Sequence, residues 1–331
     1  MADDQVLAEL ARRYRHFARV EAHGRSPLYE RWAWEVAADP AMLAFLADLP
    51  GPKRQPNLLF AAIRWLGGLP GSYPDLRAVA LERRAELTEL MLARRTQTNE
   101  PARCAALLPE FAALPQPLAL LEVGASAGLT LLPDRYSYDY AGRTLTGPDP
   151  AAPVLRCEPR GPVPVPERLP QVAWRAGIDL NPLDVTDPDD VAWLRCLIWP
   201  GEPDREDRLA AAVAVARQHP PRLTRGDLVD DLAAVAAEAP AEAPAEATLV
   251  VFHSAVLVYV PEPRRRDFAA AVEELDAVWL SNEVPGVLPE LVGQPSPPPG
   301  TDPFVLARDR RTVLAFNDGH GRWVEWLAGA S

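Results

Sequence analysis

Lysine is almost absent from this chain, since Lys53 is the single one among its 34 basic side chains. An enzyme that forms a Schiff base with its substrate needs a lysine amine, so Lys53 is the single candidate for that role. The 46 acidic residues outnumber the basic ones and give a net charge of -12 at neutral pH. Phosphate backbones are bound by clustered lysine and arginine, so nucleic acid is not an expected partner.

Cysteine is scarce as well, and the three residues Cys104, Cys157 and Cys196 form no closely spaced pair. This spacing argues against a disulfide framework and a zinc site, and it is typical of a reducing compartment. The N-terminal stretch MADDQVLAEL is acidic and lacks the apolar core of a secretory signal. No apolar run is long enough to span a membrane. We therefore expect a cytoplasmic protein with no membrane attachment and no bound metal.

The first 95 residues show the periodicity of amphipathic helices. In VLAELARRYRHFARV, apolar residues recur at three- and four-residue intervals. The stretch SPLYERWAWEVA begins with Ser26-Pro27, a capping residue followed by proline in the first helical turn. The sequence predicts a helical N-terminal subdomain over 1–95 that precedes a second domain over 96–331.

From residue 117 onward, short apolar runs alternate with amphipathic stretches, a pattern typical of a parallel sheet with crossover helices. The predicted strands are 118–123, 171–179, 221–227, 247–256 and 276–284, followed by an antiparallel hairpin over 304–318. The predicted helices between them are 126–132, 187–198, 204–218, 227–238 and 262–275. Proline-rich surface loops are predicted at 159–170, 239–247 and 294–303. The fold class is α/β, with a doubly wound, mostly parallel, Rossmann-like sheet.

The pentapeptide GASAG (124–128) follows the first predicted strand and fits two kinds of site. In a nucleophile elbow, G-x-S-x-G exposes a serine between a strand and a helix, which would make Ser126 a nucleophile. Glu283 and His320 follow in the order that such hydrolases require, acid and then histidine. The upstream region is helical, however, and offers none of the strands that normally precede an elbow. A serine hydrolase is therefore kept as the alternative.

In the second kind of site, glycines let the backbone approach a nucleoside cofactor, and the following helix N-terminus serves a carboxylate. Gly124 and Gly128 meet this requirement. Ligands of open parallel sheets bind at the carboxyl ends of the strands, so acids are expected at later strand ends. Asp179, in GIDLNP, is the candidate for the ribose hydroxyls. Asp227, in TRGDLVDDL, is the candidate near the adenine amino group.

Together these motifs resemble the class I S-adenosylmethionine-dependent methyltransferases, with Glu122-x-Gly124-x-Ser126-x-Gly128 as the first motif. The resemblance implies S-adenosylmethionine as cofactor and methyl transfer to an unidentified, small-molecule acceptor. The cofactor-binding residues it implies are Glu122, Gly124, Ser126, Gly128, Asp179 and Asp227. The dinucleotide fingerprint G-x-G-x-x-G is absent, and the acidic Glu122 suits the amino acid end of the cofactor.

Asp179 departs from the expected spacing, because it follows Gly124 by 55 positions where roughly 20 are usual. The surplus predicts inserted β structure around 135–170. It also makes Glu158 a second, lower-ranked candidate for the ribose.

The fourth predicted strand ends at His253-Ser254, where a reacting group would lie. His253 would be the base if the acceptor must lose a proton. Ser254, Asn282 and Glu283 are candidate contacts on the substrate side. Three of the candidate residues also have a purely structural interpretation. Ser126 and Asp227 would be helix caps, and His253 would be a half-buried strand residue. A non-catalytic protein that binds an adenosine ligand is a further alternative.

Longer motifs, among them QTNEPARCAALLP, LLEVGASAGLTLLPDRYSYDY, AGIDLNPLDVTDPDDVAWLRCLIWP and VVFHSAVLVYV, resemble a bacterial family, domain of unknown function 2332. The resemblance spans nearly the whole chain. It supports the expected fold and implies no particular activity.

Overall fold

The structure is a computed structural model that describes residues 4–288, 297 and 303–327. The chain divides into two units. A helical unit comprises Met1–Thr98 and Asp187–Asp207, and a sheet unit comprises Asn99–Thr186 and Arg208–Ser331. The sequence-based division placed 187–207 with the sheet, whereas this stretch belongs to the helical unit. The predicted loop 294–303 lies outside the described residues except for Pro297 and Pro303.

The helices begin and end close to the predicted signals in most cases. In chain order they are α1 (Asp4–His16), α2 (Pro27–Val36), α3 (Pro40–Ala47), α4 (Pro56–Gly67), α5 (Tyr73–Glu82), α6 (Arg84–Ala93), α7 (Cys104–Ala113), α8 (Pro188–Cys196), α9 (Pro203–Gln218), α10 (Leu232–Ala236), α11 (Ala239–Glu242) and α12 (Glu262–Glu273). Within the part of the chain that the structure describes, none of them is long and apolar enough to cross a membrane.

The helical unit has an aromatic core. Ser26 accepts a hydrogen bond from the Tyr29 N–H and caps α2, so the Ser-Pro start signal is confirmed. Tyr29, Trp32 and Phe60 pack with ring centroids 4.8–5.6 Å apart and are 0–1% exposed. Aromatic side chains of this size bury a large apolar area, which stabilises the packing of α2 on α4.

The sheet unit contains a nine-stranded sheet in the order β5-β12-β11-β10-β9-β8-β1-β6-β7 and a three-stranded sheet in the order β3-β2-β4. The strands are β1 (Leu118–Val123), β2 (Ser137–Tyr140), β3 (Arg143–Leu145), β4 (Val154–Arg156), β5 (Glu158–Arg160), β6 (Val172–Asp179), β7 (Arg222–Arg225), β8 (Thr248–Ser254), β9 (Val278–Glu283), β10 (Phe304–Arg308), β11 (Thr312–Asn317) and β12 (Trp323–Trp326).

The parallel part of the large sheet confirms the predicted α/β class. Strands β7, β6, β1, β8 and β9 pair in parallel, with Glu122 on β1 level with Gly177 on β6 and Phe252 on β8. Relative to chain order this is 3-2-1-4-5, the order of a doubly wound sheet. The chain turns from one side of β1 to the other between β7 and β8.

The antiparallel part contains the predicted C-terminal hairpin, since β10 and β11 pair with each other and β10 pairs with β9. Two further strands, β12 and β5, extend the sheet beyond the hairpin. The predicted β insertion forms the small sheet. Tyr138 and Tyr140 stack there on one face of β2, with centroids 6.4 Å apart and both rings buried.

Two helix predictions are wrong in extent. The stretch 126–132 forms only a 3-10 turn, Leu129–Leu131, and the helix expected over 227–238 is reduced to α10. The first difference follows from packing, since the leucines after Gly128 are fully buried. A helix starting at this loop would present a polar face, and this stretch has none to present.

Candidate cofactor-binding site

The candidate site lies at the carboxyl ends of β1, β6, β8 and β9. The connections from β1 and β8 run to opposite sides, so these two strands flank the switch point of the parallel sheet. Loops at a switch point diverge and leave a crevice, which is where open α/β sheets bind ligands.

The glycine loop, residues 124–128, is tied to β6. The N–H groups of Gly124 and Ala125 donate to the Ile178 carbonyl at 2.7 and 3.2 Å. The Ser126 N–H donates to Asp179 Oδ2 at 2.9 Å. Gly124, Ser126 and Gly128 have φ of 71°, 54° and 70°, a left-handed conformation that glycine adopts without cost and serine adopts with strain.

The anion site expected at a helix N-terminus after this loop is not formed. Only the 3-10 turn follows, and its first N–H, that of Leu129, donates to Asn99 Oδ1 at 2.8 Å. Ser126 therefore does not cap a helix. Its left-handed φ and the hydrogen bond from its N–H to Asp179 show that it is a loop residue. It is 4% exposed.

Glu122 is the most unusual acid of the site. Its side chain is 3% exposed, and Oε1 accepts a hydrogen bond from the Thr130 hydroxyl. Its second oxygen, Oε2, is buried and has no hydrogen-bond partner among the described residues. Burial raises the pKa of Glu122 to about 8, although Thr130 and the charge of Arg103 oppose this, and Asp179 adds to it. A buried acceptor without a partner costs free energy unless a ligand or water satisfies it.

Asp179 lies where the sequence predicted, at the end of β6 and beside the glycine loop. Its Oδ2 holds the Ser126 N–H, and its Oδ1 accepts from the Asn181 N–H at 2.7 Å. Both oxygens thus fix local backbone. A carboxylate has about four lone-pair positions, so further hydrogen bonds to a ligand are chemically open to it.

Asp227 follows β7 and holds the start of the next segment. Its Oδ1 accepts from the N–H groups of Val229 and Asp230 and from Arg264 at 2.5 Å. Burial pushes the pKa of Asp227 upward, but these donors outweigh it and hold the pKa below its usual value. The expectation that Asp227 caps a helix is wrong, because α10 begins only at Leu232 with Asp231 before it, and Asp227 instead binds the backbone of the preceding turn. The adenine-side role of Asp227 stays a prediction.

A row of polar side chains crosses the same face of the sheet next to Glu122. Asn317 Nδ2 donates to Asn282 Oδ1 at 2.8 Å, and Asn282 Nδ2 donates to Ser254 Oγ at 3.0 Å. The Arg103 guanidinium covers this row and donates to the Ser254 carbonyl at 2.9 Å. Ser254 and Asn282, predicted as substrate-side residues, are thus brought together.

His253 points to the opposite face of the sheet. Its Nε2 lies 3.0 Å from Trp279 Nε1, and its Nδ1 lies 2.7 Å from Glu283 Oε1. Indole can only donate, so Nε2 accepts and the proton sits on Nδ1, which donates to Glu283. Both ring nitrogens are committed and the side chain is 0% exposed. The geometry gives no support to His253 as a base.

The alternative ribose residue, Glu158, is not near the glycine loop. It lies on the edge strand β5, beside β12, and its carboxylate pairs with Arg160 at 3.1 Å. Among the residues that the structure describes, no group of three or more His, Cys, Asp or Glu side chains is arranged to hold a metal ion.

Sequence reasoning missed two members of the site. Thr130 supplies the hydroxyl on Glu122, and Asn317 begins the amide row. Asn317 could have been identified from the sequence only by its position at the end of an apolar strand. Asp179 and Asn282 occupy the same kind of position.

Comparisons with known proteins agree with the longer motifs. A bacterial family described as "uncharacterized protein conserved in bacteria (DUF2332)" has a model that matches residues 11–326. No curated protein and no solved structure matches the chain. The family match covers nearly all of the sequence, and the resemblance noted from the motifs is confirmed. The chain belongs to this bacterial family, domain of unknown function 2332.

Proposed function

We propose that this protein is an S-adenosylmethionine-dependent methyltransferase of the class I type, acting on a small-molecule acceptor. The observation that carries the proposal is Glu122. It is a buried carboxyl with one oxygen that has no hydrogen-bond partner among the described residues. It lies at the switch point of a 3-2-1-4-5 sheet, directly before a left-handed glycine loop. The cofactor would supply an electrophilic methyl group bound to a positively charged sulfur.

The residues present fit the amino acid end of such a cofactor. Once Glu122 has lost its proton, Oε2 is an acceptor that lacks a donor among the described residues, and an ammonium group provides one. The charge of Arg103 acts on the same carboxyl, so a cation lies within electrostatic range of the acceptor. A zwitterionic amino acid group is complementary to this pair, since its carboxylate suits a guanidinium.

In this proposal the side chains of the protein bind and orient the cofactor and the acceptor. The rate of methyl transfer depends on the alignment of the reacting atoms. Methyl transfer gains most of its rate from holding nucleophile, methyl and sulfur in line. Glu122 and Arg103 would fix one end of the cofactor, and Asp179 would hold the glycine loop in place. The row of Ser254, Asn282 and Asn317 would bind the acceptor through neutral hydrogen bonds.

The serine hydrolase alternative receives no comparable support. Ser126 is 4% exposed. The acid proposed for its triad, Glu283, holds His253 and the N–H groups of Val256 and Leu257. Glu283 therefore does not orient His320, as a triad would require. A fluorophosphonate probe tests this alternative directly, and labelling of Ser126 would favour the hydrolase.

Calorimetric titration with S-adenosylhomocysteine tests the proposal. We expect binding to the wild type, and a loss of about tenfold or more for Glu122→Gln, because a charge-assisted hydrogen bond is replaced by a neutral one. The matched control is Glu246→Gln, the same substitution at an exposed glutamate of the same unit. No binding to the wild type at millimolar ligand would refute the proposal. Binding without methyl transfer to any acceptor would favour the non-catalytic alternative.

A further inference from the structure

The segment between β8 and α12, residues 255–261, is held by one carboxylate oxygen. The N–H groups of Val256 and Leu257 donate to Glu283 Oε1 at 2.8 and 3.0 Å. The same oxygen accepts from His253 Nδ1. Ala255, at the start of the segment, has a φ of 60°, which is strained for a residue with a side chain. Glu283 thus fixes a segment that would not adopt this path unaided.

The segment places Val256 against the first glycine of the loop. A Cβ atom on Gly124 would lie 2.4 Å from Val256 Cγ2 and 2.8 Å from Cγ1. Both distances are far below van der Waals contact. The space that a glycine leaves open for a close approach is therefore taken by the side chain of Val256.

We propose that Glu283 is a positioning residue that holds Val256 over Gly124, and that Val256 controls how closely a nucleoside ligand approaches the glycine loop. This inference rests on the proposed function. A ligand that contacts the backbone at Gly124 needs the space of the two Val256 methyl groups. Binding then requires a shift of the segment away from Gly124.

The surroundings of Glu283 allow such a shift. His253 is fixed by Trp279 on one side and orients Glu283 on the other, so the carboxylate stays in place. Its second oxygen, Oε2, is buried and has no partner among the described residues. That oxygen can receive an N–H of the segment after it moves, so the bonds to Oε1 are exchanged rather than lost. Val258 and Tyr259, later in the segment, are 42% and 62% exposed, so movement of these two residues unpacks little, whereas Leu257 is buried in the core and resists displacement.

The first test uses Val256→Ala, with Val258→Ala as the matched control in the same segment. We expect Val256→Ala to bind S-adenosylhomocysteine roughly tenfold more tightly, since two apolar groups no longer have to be displaced. Val258→Ala should bind like the wild type. Equal or weaker binding by Val256→Ala would show that Val256 lines the site without obstructing it, and would overturn the inference.

The second test separates positioning from general stability and needs no ligand. Glu283→Ala should accelerate amide hydrogen exchange at Val256 and Leu257, while Glu283→Gln, which retains an acceptor oxygen, should restore most of the protection. Unchanged exchange in Glu283→Ala would overturn the positioning role by itself. If neither the wild type nor Val256→Ala binds the ligand, the proposed function and the control of ligand approach fail. The exchange result then still reports on Glu283.

Discussion

Replacing Glu122 by glutamine should stabilise the protein at neutral and alkaline pH. Glutamine has nearly the same shape, keeps an oxygen for the Thr130 hydroxyl, and cannot ionise. In the wild type, burial raises the pKa of Glu122 from 4.5 to about 8, with Arg103 acting against the rise and Asp179 reinforcing it. The nearby Cys104 thiol is buried and its own pKa is raised, so it stays neutral over this range.

The sign and the size of the effect follow from linkage. Between pH 4.5 and about 8 the folded chain retains a proton that the unfolded chain releases. The stability contributed by protonated Glu122 is complete below pH 4.5 and declines as the pH rises towards 8. Each pH unit is worth at most about 1.4 kcal/mol, so the loss at pH 8 has an upper limit of about 5 kcal/mol. Relaxation or water entry in the folded protein would reduce it.

Urea denaturation at pH 5, 6, 7 and 8 measures the difference in free energy of unfolding between Glu122→Gln and the wild type. We expect a difference near zero at pH 5 that increases steadily in favour of the variant. Glu246→Gln, the same substitution at an exposed position, should show no such trend. A difference that is constant from pH 5 to pH 8 would refute the argument, because it would mean that Glu122 ionises as easily in the folded as in the unfolded chain.

Three further outcomes are expected. Affinity for S-adenosylhomocysteine should increase between pH 6 and pH 8 by up to about tenfold per pH unit, because the ligand's ammonium group must displace the proton of Glu122. Calorimetry at each pH measures this, and an affinity that does not change with pH would contradict it. Gly124→Ala should lower the free energy of unfolding by about 2–4 kcal/mol, because alanine is strained at a left-handed φ and its methyl group would overpack against Val256. Urea titration of the double variant with Val256→Ala should show that part of this loss is recovered. Asp227→Ala should cost about 1 kcal/mol through the lost hydrogen bonds to the Val229 and Asp230 N–H groups. Ligand affinity should be unchanged in calorimetry, whereas a large loss of affinity would restore the adenine-side role of Asp227.

The strands of the parallel sheet could be predicted from the sequence to within two residues at most ends, because each is a short apolar run bounded by polar residues. LALLEV and β1 coincide at 118–123. The helix predicted after GASAG failed for a related reason. LTLL carries no polar face, so its apolar character indicates burial without specifying the backbone conformation.

The faces of the site residues could not be predicted. His253 and Ser254 are neighbours at the end of β8, and successive side chains of a strand point to opposite faces. His253 packs on Phe268 of α12, with ring centroids 5.6 Å apart, while Ser254 contacts Arg103 and Asn282. The sequence predicts a functional strand end at His253-Ser254 but does not indicate which face of the sheet carries the candidate site.

The partners of the site residues were hidden for a different reason, since they come from distant parts of the chain. Arg103 and Ser254 are 151 positions apart, and Asn317 and Asn282 are 35 apart. Each is an ordinary polar residue in its own segment. They form a site only because β1, β8, β9 and β11 end at the same edge, and a single sequence holds no signal for that pairing.

The cofactor hypothesis depends more on Glu122 than on Asp179, although both are acids of the predicted cofactor motifs. Asp179 has a complete structural role without a ligand, because its oxygens hold the Ser126 and Asn181 N–H groups. Replacing Asp179 would disturb the glycine loop and so reduce the binding of any ligand there. That loss would not distinguish a direct contact with the ligand from a structural effect. Glu122 Oε2 has no such role, since it is buried and satisfied by nothing in the described part of the chain. A protein gains no stability from such an oxygen, so the proposed cofactor would supply a physical reason for a glutamate at this position in place of glutamine or leucine.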